Sequence, residues 1–297
     1  LACRPEQHLP KSFLPVLEHS IPNPQFSSPQ KLIQPTNQAD IILKVQNITV
    51  NYRRQTHKGD FPVLRDVSLQ LIRGETLGVV GESGSGKTTL GKAIIGAAPL
   101  ANGMIEFTGT KEASGPPPCQ MVFQNSLGAL NRRLTVWQLL QEPFELIRRE
   151  RRHKILPLLT KLLEEVGLSG EVLNRYPEQL SGGQRQRVNI ARALAGNPQV
   201  LICDEAVSAL DVTVQAQILN LLLSVQQQRG LALIFISHDM DVIRHLSDRI
   251  LVISEGQIVE EGEAEQVFSN PRHQVTLKLI QSMSSYPLHT PKTKSIC

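Results

Sequence analysis

A glycine-rich segment of eight residues constrains the fold of this chain more than any other part of its sequence. Residues 81–88 read Gly-Glu-Ser-Gly-Ser-Gly-Lys-Thr and match the pattern G-x-x-x-x-G-K-[ST]. They follow a short apolar run at 77–80, which predicts a buried strand, and they precede residues 90–95, which predict a helix. Glycines here let backbone N–H groups turn inward around phosphate oxygens, and the start of the helix adds a favourable dipole. The segment therefore predicts a phosphate-binding loop.

Two side chains at the end of this loop complete the predicted phosphate site. Lys87 is expected to reach the β- and γ-phosphates of a nucleotide, and the Thr88 hydroxyl is expected to bind Mg²⁺. The simpler alternative is a glycine-rich turn that carries a surface lysine. The strand before the loop and the helix after it favour the phosphate site, because the pattern requires this context.

Apolar runs alternate with helical patterns through the second half of the chain. Such an order implies a parallel sheet with helices on both faces, and hence an α/β fold. The predicted strands are 120–123, 200–203, 231–236 and 250–253, and the predicted helices are 188–194, 214–227 and 240–246. Residues 41–50 and 63–72 instead alternate apolar and polar side chains, as half-buried strands do. Helical periodicity extends over residues 135–167, and a turn at Glu255-Gly256 predicts a final antiparallel hairpin.

Composition argues against several other classes of protein. A net charge of +4 over 297 residues gives no support to a large basic surface for nucleic acid. No apolar run approaches the ~20 residues that cross a bilayer, so a membrane role would act through a partner. The four cysteines, at positions 3, 119, 203 and 297, form no CxxC pair, so neither a zinc site nor a disulfide framework is expected.

Residues 1–40 contain seven prolines at irregular spacing in an otherwise polar stretch. Proline fixes φ and removes a hydrogen-bond donor, so no helix or strand interior fits here. We expect a disordered or loosely docked arm; a ligand for an SH3-type domain is the less favoured alternative.

Two carboxylates follow the predicted strand at 200–203. Asp204 lies at the carboxyl end of this strand, where open α/β sheets bind ligands, and it is placed to hold Mg²⁺ directly or through water. Because side chains alternate along a strand, Glu205 is expected to point elsewhere and to polarise an attacking water. Without the upstream phosphate loop, a solvated strand edge would be the simpler interpretation.

Residues 180–187 read Leu-Ser-Gly-Gly-Gln-Arg-Gln-Arg and precede the helix predicted at 188–194. Ser181 could be an ordinary helix N-cap with the glycines in a loop. That interpretation leaves unexplained why two glycines would expose several N–H groups, so a second anion-binding site is the sharper alternative.

These residues resemble the ATP-binding-cassette (ABC) family, in which LSGGQ, here residues 180–184, is the signature motif. The resemblance extends from about residue 41 to 271 and rests on several motifs in the same order. It implies an α/β P-loop NTPase core of RecA-like type, an antiparallel β subdomain and an inserted α-helical subdomain at about residues 125–185. The implied domains are a disordered arm at 1–40, an ABC ATP-binding domain at 41–270 and a short C-terminal extension at 271–297.

The resemblance also implies roles for individual residues. Gln124 matches the glutamine that senses Mg²⁺ and the attacking water, on a loop that couples to the membrane partner. His238 matches the histidine that contacts the γ-phosphate. The segment Ser208-Ala209-Leu210-Asp211 matches the D-loop, the family motif that links the two ATP sites. Tyr52 looks like the aromatic residue that stacks on adenine. The implied catalytic residues are Lys87, Gln124, Glu205 and His238; the metal ligands are Thr88, Gln124 and Asp204; and the ATP-binding residues are Tyr52, Gly81, Ser83, Gly84, Ser85, Gly86, Lys87, Thr88, Thr89, Ser181, Gly182, Gly183, Gln184 and Asp211.

The assembly implied by the resemblance is a head-to-tail dimer that encloses two ATP molecules. Each ATP would lie between the phosphate loop of one subunit and the signature motif of the other, which is either a second copy or a similar ABC ATPase. Residues 120–136, 180–187 and 208–212 look most like the peptide and nickel import ATPases. The implied partners are integral membrane permease subunits and, indirectly, an extracytoplasmic solute-binding protein. The implied location is peripheral, on the cytoplasmic face of the inner (plasma) membrane, with no nucleic-acid partner.

Several positions depart from the pattern of these importers. Ala206 replaces the usual proline, and we expect only a small loss of stiffness because both carboxylates before it remain. Asn125-Ser126 and Arg132 depart around the glutamine loop, and Gln274-Val275 replace the usual Pro-Tyr. Cys297 stands alone in the C-terminal segment, so no iron–sulfur cluster is expected.

Besides the ATP-hydrolysing subunit of an importer that the resemblance implies, the sequence leaves two other functions open. One is a soluble ABC ATPase that acts on nucleic acid or ribosomes, although no coiled coil, zinc module or second cassette is visible. The other is a non-catalytic cassette that binds ATP and regulates a partner.

Overall fold

The computed structural model describes residues 40–53, 60–108, 118–124, 126–148 and 152–283. The expected proline-rich arm lies outside these residues except for Asp40, as do Asn125, Cys3 and Cys297. All described residues belong to one compact unit, Leu32–Cys297.

Two β-sheets form the framework of the fold. The strands are β1 Ile41–Arg53, β2 Asp60–Ile72, β3 Thr76–Val80, β4 Asn102–Phe107, β5 Cys119–Val122, β6 Val200–Asp204, β7 Ala232–Ile236, β8 Arg249–Ser254 and β9 Gln257–Glu263. The first sheet is antiparallel, in the order β2-β1-β4. The second has the order β5-β6-β7-β3-β8-β9, with parallel neighbours except for the antiparallel pair β8 and β9. The mixed architecture agrees with the fold class expected from the sequence.

Helices cover the second sheet and extend from it. They are α1 Lys87–Ile94, α2 Ser126–Ala129, α3 Val136–Leu146, α4 Arg152–Glu165, α5 Gly182–Ala195, α6 Val212–Arg229, α7 Met240–Leu246, α8 Ala264–Ser269 and α9 Gln274–Met283. Two short 3₁₀ helices, Gly170–Asn174 and Pro177–Gln179, connect α4 to α5. The second sheet contains the parallel strands that the sequence predicts, and helices α3 and α4 lie within residues 135–167, where the sequence shows helical periodicity.

Two helices begin earlier than their apolar pattern indicates. Helix α1 starts at Lys87 rather than at residue 90, and α5 starts at Gly182 rather than at residue 188. In both cases the first turn is made of small or polar residues, which contribute no apolar periodicity. Capping and the path of the preceding loop decide these helix starts.

The hydrophobic core has two layers, one on each face of the parallel sheet. Neighbouring residues of β7 point into different layers, since Ile234 belongs to the same buried cluster as Leu77 and Leu90, while Phe235 belongs to the cluster of Phe144 and Ile190. The first layer joins the antiparallel sheet and α1 to the parallel sheet. The second joins the parallel sheet to the remaining helices.

Close backbone contacts join the antiparallel sheet to the phosphate loop. The Arg65 N–H of β2 donates to the Gly256 carbonyl in the β8–β9 turn at 2.8 Å, and the Gly256 N–H donates to the Ser85 carbonyl at 3.0 Å. A Cβ at Gly256 would lie 2.3 Å from the Val63 carbonyl oxygen, so only glycine allows this approach. These contacts bring β2 alongside the loop.

Among the described residues, no helix has the length and apolar character that crossing a bilayer would require.

Candidate active site

An open pocket of about 470 Å³ lies above the phosphate loop, and it gathers residues from widely separated parts of the chain. It draws on β1, β2, the β3–α1 loop, the first turn of α1, the turn after β6 and the loop after β7. Its lining residues are Tyr52, Val63, Gly81, Ser83, Gly84, Gly86, Lys87, Thr88, Thr89, Glu205 and His238. All except Val63 are among the residues singled out from the sequence.

The loop between β3 and α1 is shaped by glycines that no other residue could replace without movement. A Cβ at Gly81 would lie 2.1 Å from the Ile253 carbonyl oxygen. Gly86 has φ +109° and precedes the first residue of α1, and a Cβ there would lie 2.8 Å from a methyl group of Leu64. The loop therefore combines a left-handed turn with close packing against β8 and β2.

The Lys87 side chain binds the backbone at the start of the loop. Its Nζ donates to the carbonyl oxygens of Gly81 and Glu82, both at 2.8 Å, and the side chain is buried. Burial lowers the pKa of Lys87, and the nearby carboxylates of Glu205 and Asp204 act to raise it. An ammonium has three donors, so one remains beyond the two carbonyl bonds for an anion in the pocket.

The loop fits a phosphate group by a second criterion. Ser85 is only 4 % exposed, and its hydroxyl oxygen is buried without a hydrogen-bond partner in the described part of the chain. An unsatisfied buried polar group costs about 1–3 kcal/mol. A phosphate oxygen held by the loop would give this hydroxyl an acceptor.

Thr88 and Asp204 place two oxygen ligands side by side. The Thr88 hydroxyl donates to Asp204 Oδ1 at 3.1 Å. Burial raises the pKa of Asp204; the charge of Glu205 acts in the same direction, whereas the hydrogen bond from Thr88 opposes it. Hydroxyl and carboxylate oxygens fit Mg²⁺, which usually takes one or two protein ligands together with phosphates and waters.

Glu205 reaches the pocket by a different route from the one expected. The strand ends at Asp204, and Glu205 has φ +48°, so a left-handed turn and not strand alternation directs its side chain. Its N–H donates to the Ile236 carbonyl at 2.9 Å, which ties the turn to the end of β7. Glu205 Oε1 lies 3.4 Å from Nδ1 of His238.

Gln124 does not line the pocket and contacts the turn after β6 instead. Its side chain is exposed, and its Nε2 donates to the Ser208 hydroxyl at 3.3 Å. The sequence contained no signal for this pairing, because the two residues are 84 positions apart. Asp204 does not line the pocket either, but it accepts a hydrogen bond from Thr88, which does.

The signature motif and Asp211 lie outside the pocket of their own subunit. Ser181 is the N-cap of α5 and forms a reciprocal capping box with Gln184, while Asp211 is the N-cap of α6. Gly182 and Gly183 are the first helical residues rather than loop residues, and a Cβ at Gly183 would lie 2.9 Å from a Val214 methyl group. The starts of α5 and α6 therefore lie side by side.

Val63 is the lining residue that sequence reasoning missed. Val63 belongs to β2, which pairs with β1, and this strand pairing does not indicate that Val63 lies beside the phosphate loop. Only the contact between the two sheets places Val63 there. The alternating pattern of β2 could have placed it on one face, but not against this loop.

Comparison with known proteins explains this combination of loop, carboxylates and capped helices. The family model described as ABC transporter matches residues 64–208. The oligopeptide transport ATP-binding protein OppF of Escherichia coli (strain K12) is 41 % identical over 280 residues, covering 86 % of this chain and 81 % of that protein. The chain belongs to the ABC transporter family. A second relative, the probable D,D-dipeptide transport ATP-binding protein DdpF of the same organism, is 42 % identical over 250 residues, covering 82 % of this chain and 80 % of DdpF.

Solved ABC structures share the fold. The structure of cbiO1 from Clostridium perfringens, described as part of the ABC transporter complex cbiONQ, has a TM-score of 0.65 at 26 % identity and covers 78 % of this chain and 92 % of its own. The ATP-binding cassette MJ0796, described as a dimeric post-hydrolysis state bound to ADP and Pi, has a TM-score of 0.64 at 26 % identity and covers 75 % of this chain and 99 % of its own. The chain therefore has the fold of an ABC ATPase.

Proposed function

We propose that this chain is the ATP-hydrolysing subunit of an ABC importer for peptides and that it works with Mg²⁺. The observation that carries the proposal is one pocket that gathers the loop lysine, Thr88 and the Glu205–His238 pair. Asp204 accepts a hydrogen bond from Thr88 at the edge of this pocket. The reaction is hydrolysis of ATP to ADP and phosphate. The names of the relatives OppF and DdpF support peptides as the transported class.

Each group in the pocket has one proposed task. The loop N–H groups, Lys87 and the Ser85 hydroxyl hold the β- and γ-phosphates, and Tyr52 stacks on the base. Mg²⁺, held by Thr88 and Asp204 and sensed by Gln124, would neutralise charge on the phosphates. The Glu205 carboxylate accepts a proton from the attacking water. His238 contacts both Glu205 and the γ-phosphate, and it holds the carboxylate in position beside that phosphate.

A second ABC ATPase subunit is needed to complete the site. The starts of α5 and α6 are adjacent and lie outside the pocket of their own subunit. They are formed by Ser181, Gly182, Gly183 and Gln184 in α5 and by Asp211 in α6. Helix N-termini attract anions, so this face fits the phosphates of an ATP held by the partner. The partner is a second copy or a similar ATPase, and the signature contacts exist only in the closed pair.

Membrane permease subunits would dock near Gln124. The adjoining groove between β5 and α3 exposes two large apolar side chains, Phe123 at 39 % and Leu146 at 71 %. Closing and opening of the ATPase pair would move this groove. We propose a peripheral location at the cytoplasmic face of the membrane, with an extracytoplasmic solute-binding protein delivering the peptide to the permease.

The two other functions are less well supported. The relatives named above are transport proteins, which disfavours a soluble switch on nucleic acid or ribosomes. A carboxylate and a histidine paired beside the phosphate loop disfavour a cassette without catalysis.

Purification of the full chain from solubilised membranes tests the function. We expect integral membrane proteins to co-purify and the complex to release phosphate from ATP only when Mg²⁺ is present. Capture of ribosomes or nucleic acid without membrane proteins would contradict the proposal, and so would a membrane complex that binds ATP without releasing phosphate.

A further inference from the structure

The hydroxyl group of Ser208 joins two elements of the proposed site within one subunit. It accepts a hydrogen bond from Gln124 Nε2 at 3.3 Å, and it donates one to the Glu205 backbone carbonyl at 3.0 Å. One side chain thus connects the glutamine that follows β5 with the turn that carries the proposed base. The resemblance to other ABC proteins placed Ser208 in the D-loop but assigned no task to its hydroxyl.

The chemistry of the three groups fixes the direction of both bonds. A hydroxyl has one proton and two lone pairs, and a backbone carbonyl only accepts. The proton of Ser208 is therefore committed to Glu205, and its oxygen must accept from Gln124. Gln124 satisfies this with its NH₂ end, which leaves Oε1 at the opposite end of the amide.

Ser208 is itself held in a rigid turn. Its backbone N–H also donates to the Glu205 carbonyl, at 3.3 Å. Ala206 and Val207, which lie between Glu205 and Ser208 in the chain, are 2 % and 3 % exposed, so the turn is anchored in the core. An exposed glutamine side chain is thus attached to a fixed point.

We propose that Ser208 is a positioning residue that engages the nitrogen end of the Gln124 amide, so that the oxygen end is the group available to the Mg²⁺ of a bound nucleotide. Mg²⁺ takes oxygen ligands, so an amide that presented its NH₂ group would not serve. The inference rests on the proposed ATPase function and adds to it a residue that acts through Gln124.

The hydrogen bond can be tested without nucleotide. In the full chain labelled with ¹⁵N-glutamine, the side-chain NH₂ resonances of Gln124 are identified by their loss in the variant Gln124→Glu. We expect Ser208→Ala to move these resonances to the position of a solvent-exposed glutamine, and Ser208→Thr, which keeps the hydroxyl, to leave them in place. Resonances that do not move in Ser208→Ala overturn the proposal.

The consequence for the metal is tested by equilibrium binding of a fluorescent, non-hydrolysable ATP analogue. A net hydrogen bond is worth about 0.5–1.5 kcal/mol, so Ser208→Ala should weaken binding about 2–10-fold when Mg²⁺ is present. Binding in EDTA should not change. Ser208→Thr is the matched control and should bind like the natural chain in both conditions.

A double substitution separates positioning from a general structural effect. With Gln124→Ala in place, Ser208→Ala should cause no further loss of Mg²⁺-dependent affinity. A loss that persists there, or that is equal in EDTA, shows a structural role and overturns the proposal. If Mg²⁺ fails to tighten binding by the natural chain, the metal part of the proposed function fails before any substitution is made.

Discussion

At the scale of single residues, the site contains a buried cation close to carboxylates and a buried hydroxyl that lacks a hydrogen-bond partner among the described residues. Lys87 is buried between two carbonyl oxygens and near two carboxylates, and Ser85 has a hydroxyl without a partner in the described chain. Glu205 has a left-handed backbone that is uncommon for a residue with a side chain. Such features cost stability and are typical of positions where a ligand completes the interactions.

Replacing Glu205 tests its role as the base. Glu205→Gln keeps the size and hydrogen-bonding ability of the side chain but cannot accept the proton of water. We expect ATP to bind with nearly unchanged affinity and turnover to fall by about 10²–10⁴-fold. Phosphate release and equilibrium nucleotide binding measure the two effects.

The matched control for this substitution is Glu263→Gln, which removes an exposed carboxylate outside the pocket. It should behave like the natural chain in both assays. Near-normal turnover in Glu205→Gln would exclude Glu205 as the base.

At the scale of elements, side-chain caps decide where helices begin and where they dock. Ser181 and Gln184 satisfy each other's backbone N–H groups at the start of α5. At the other end of the chain, the Glu260 carboxylate of β9 accepts from the N–H groups of Arg272 and His273 and from the Thr276 hydroxyl. This carboxylate fixes the segment leading into α9, whose apolar side packs on the core.

The cap of α5 has a stability effect that is separate from any contact with nucleotide. Ser181→Ala should lower the free energy of unfolding by about 1 kcal/mol, because an N–H at the helix start loses its acceptor. Ser181→Asn should leave stability nearly unchanged, since asparagine caps equally well. Urea unfolding followed by circular dichroism measures both, and equal stability of the alanine and asparagine variants would show that the cap is not formed.

The Glu260 contact should make stability depend on pH. Burial acts to raise the pKa of Glu260, but the hydrogen bonds from Thr276, Arg272 and His273 outweigh it, and the pKa is lowered from its usual 4.5. A carboxyl group with a lowered pKa in the folded state stabilises the fold above its unfolded pKa, and this stabilisation is lost as pH falls through the folded pKa.

Glu260→Gln should therefore destabilise the chain at pH 7 by roughly 1.5–3 kcal/mol, the range for a hydrogen bond to a charged group. The difference from the natural chain should shrink below about pH 4.5, as the natural carboxyl is also neutralised. Urea midpoints between pH 7 and pH 3 measure this, with Glu263→Gln as the control. A difference that is constant with pH would mean that the charge of Glu260 contributes nothing.

At the scale of the whole molecule, one subunit supplies two halves of a site on different faces. The pocket holds the phosphate loop, Glu205 and His238, while the capped starts of α5 and α6 lie outside it. A closed pair of subunits would bring each half against its complement. ATP can favour this pair only through contacts that the open subunits lack.

Assembly is tested with the slow variant Glu205→Gln, which should retain ATP. Together with MgATP, we expect it to elute as a pair of ATPase subunits in size-exclusion chromatography, with itself or with a second ABC ATPase that co-purifies with it. Adding Ser181→Arg should abolish the pair, because a bulky side chain would enter the partner's phosphate site.

The control for added bulk and charge is Ser269→Arg, at an exposed position of α8. It should leave the pair intact. A pair that forms equally well with Ser181→Arg would show that the signature motif does not face the partner's nucleotide.

The sequence by itself determined the phosphate loop, the strand that ends in Asp204 and the alternation that gives a parallel sheet. These features are local, because backbone preferences, glycine positions and side-chain periodicity act over a few residues. The polar first turn of α5 was missed for the same reason, since capping contributes no apolar pattern.

Only the tertiary structure decided which distant groups meet. The 3.4 Å approach of His238 to Glu205, the hydroxyl bridge of Ser208 to Gln124 and the contact of Val63 with the loop all join residues far apart in the chain. Even the direction of the Glu205 side chain depends on a left-handed turn that is hydrogen-bonded to β7, and not on strand alternation. Such contacts arise from how the two sheets and their helices pack, and local preferences indicate which faces are buried but not which distant residues meet.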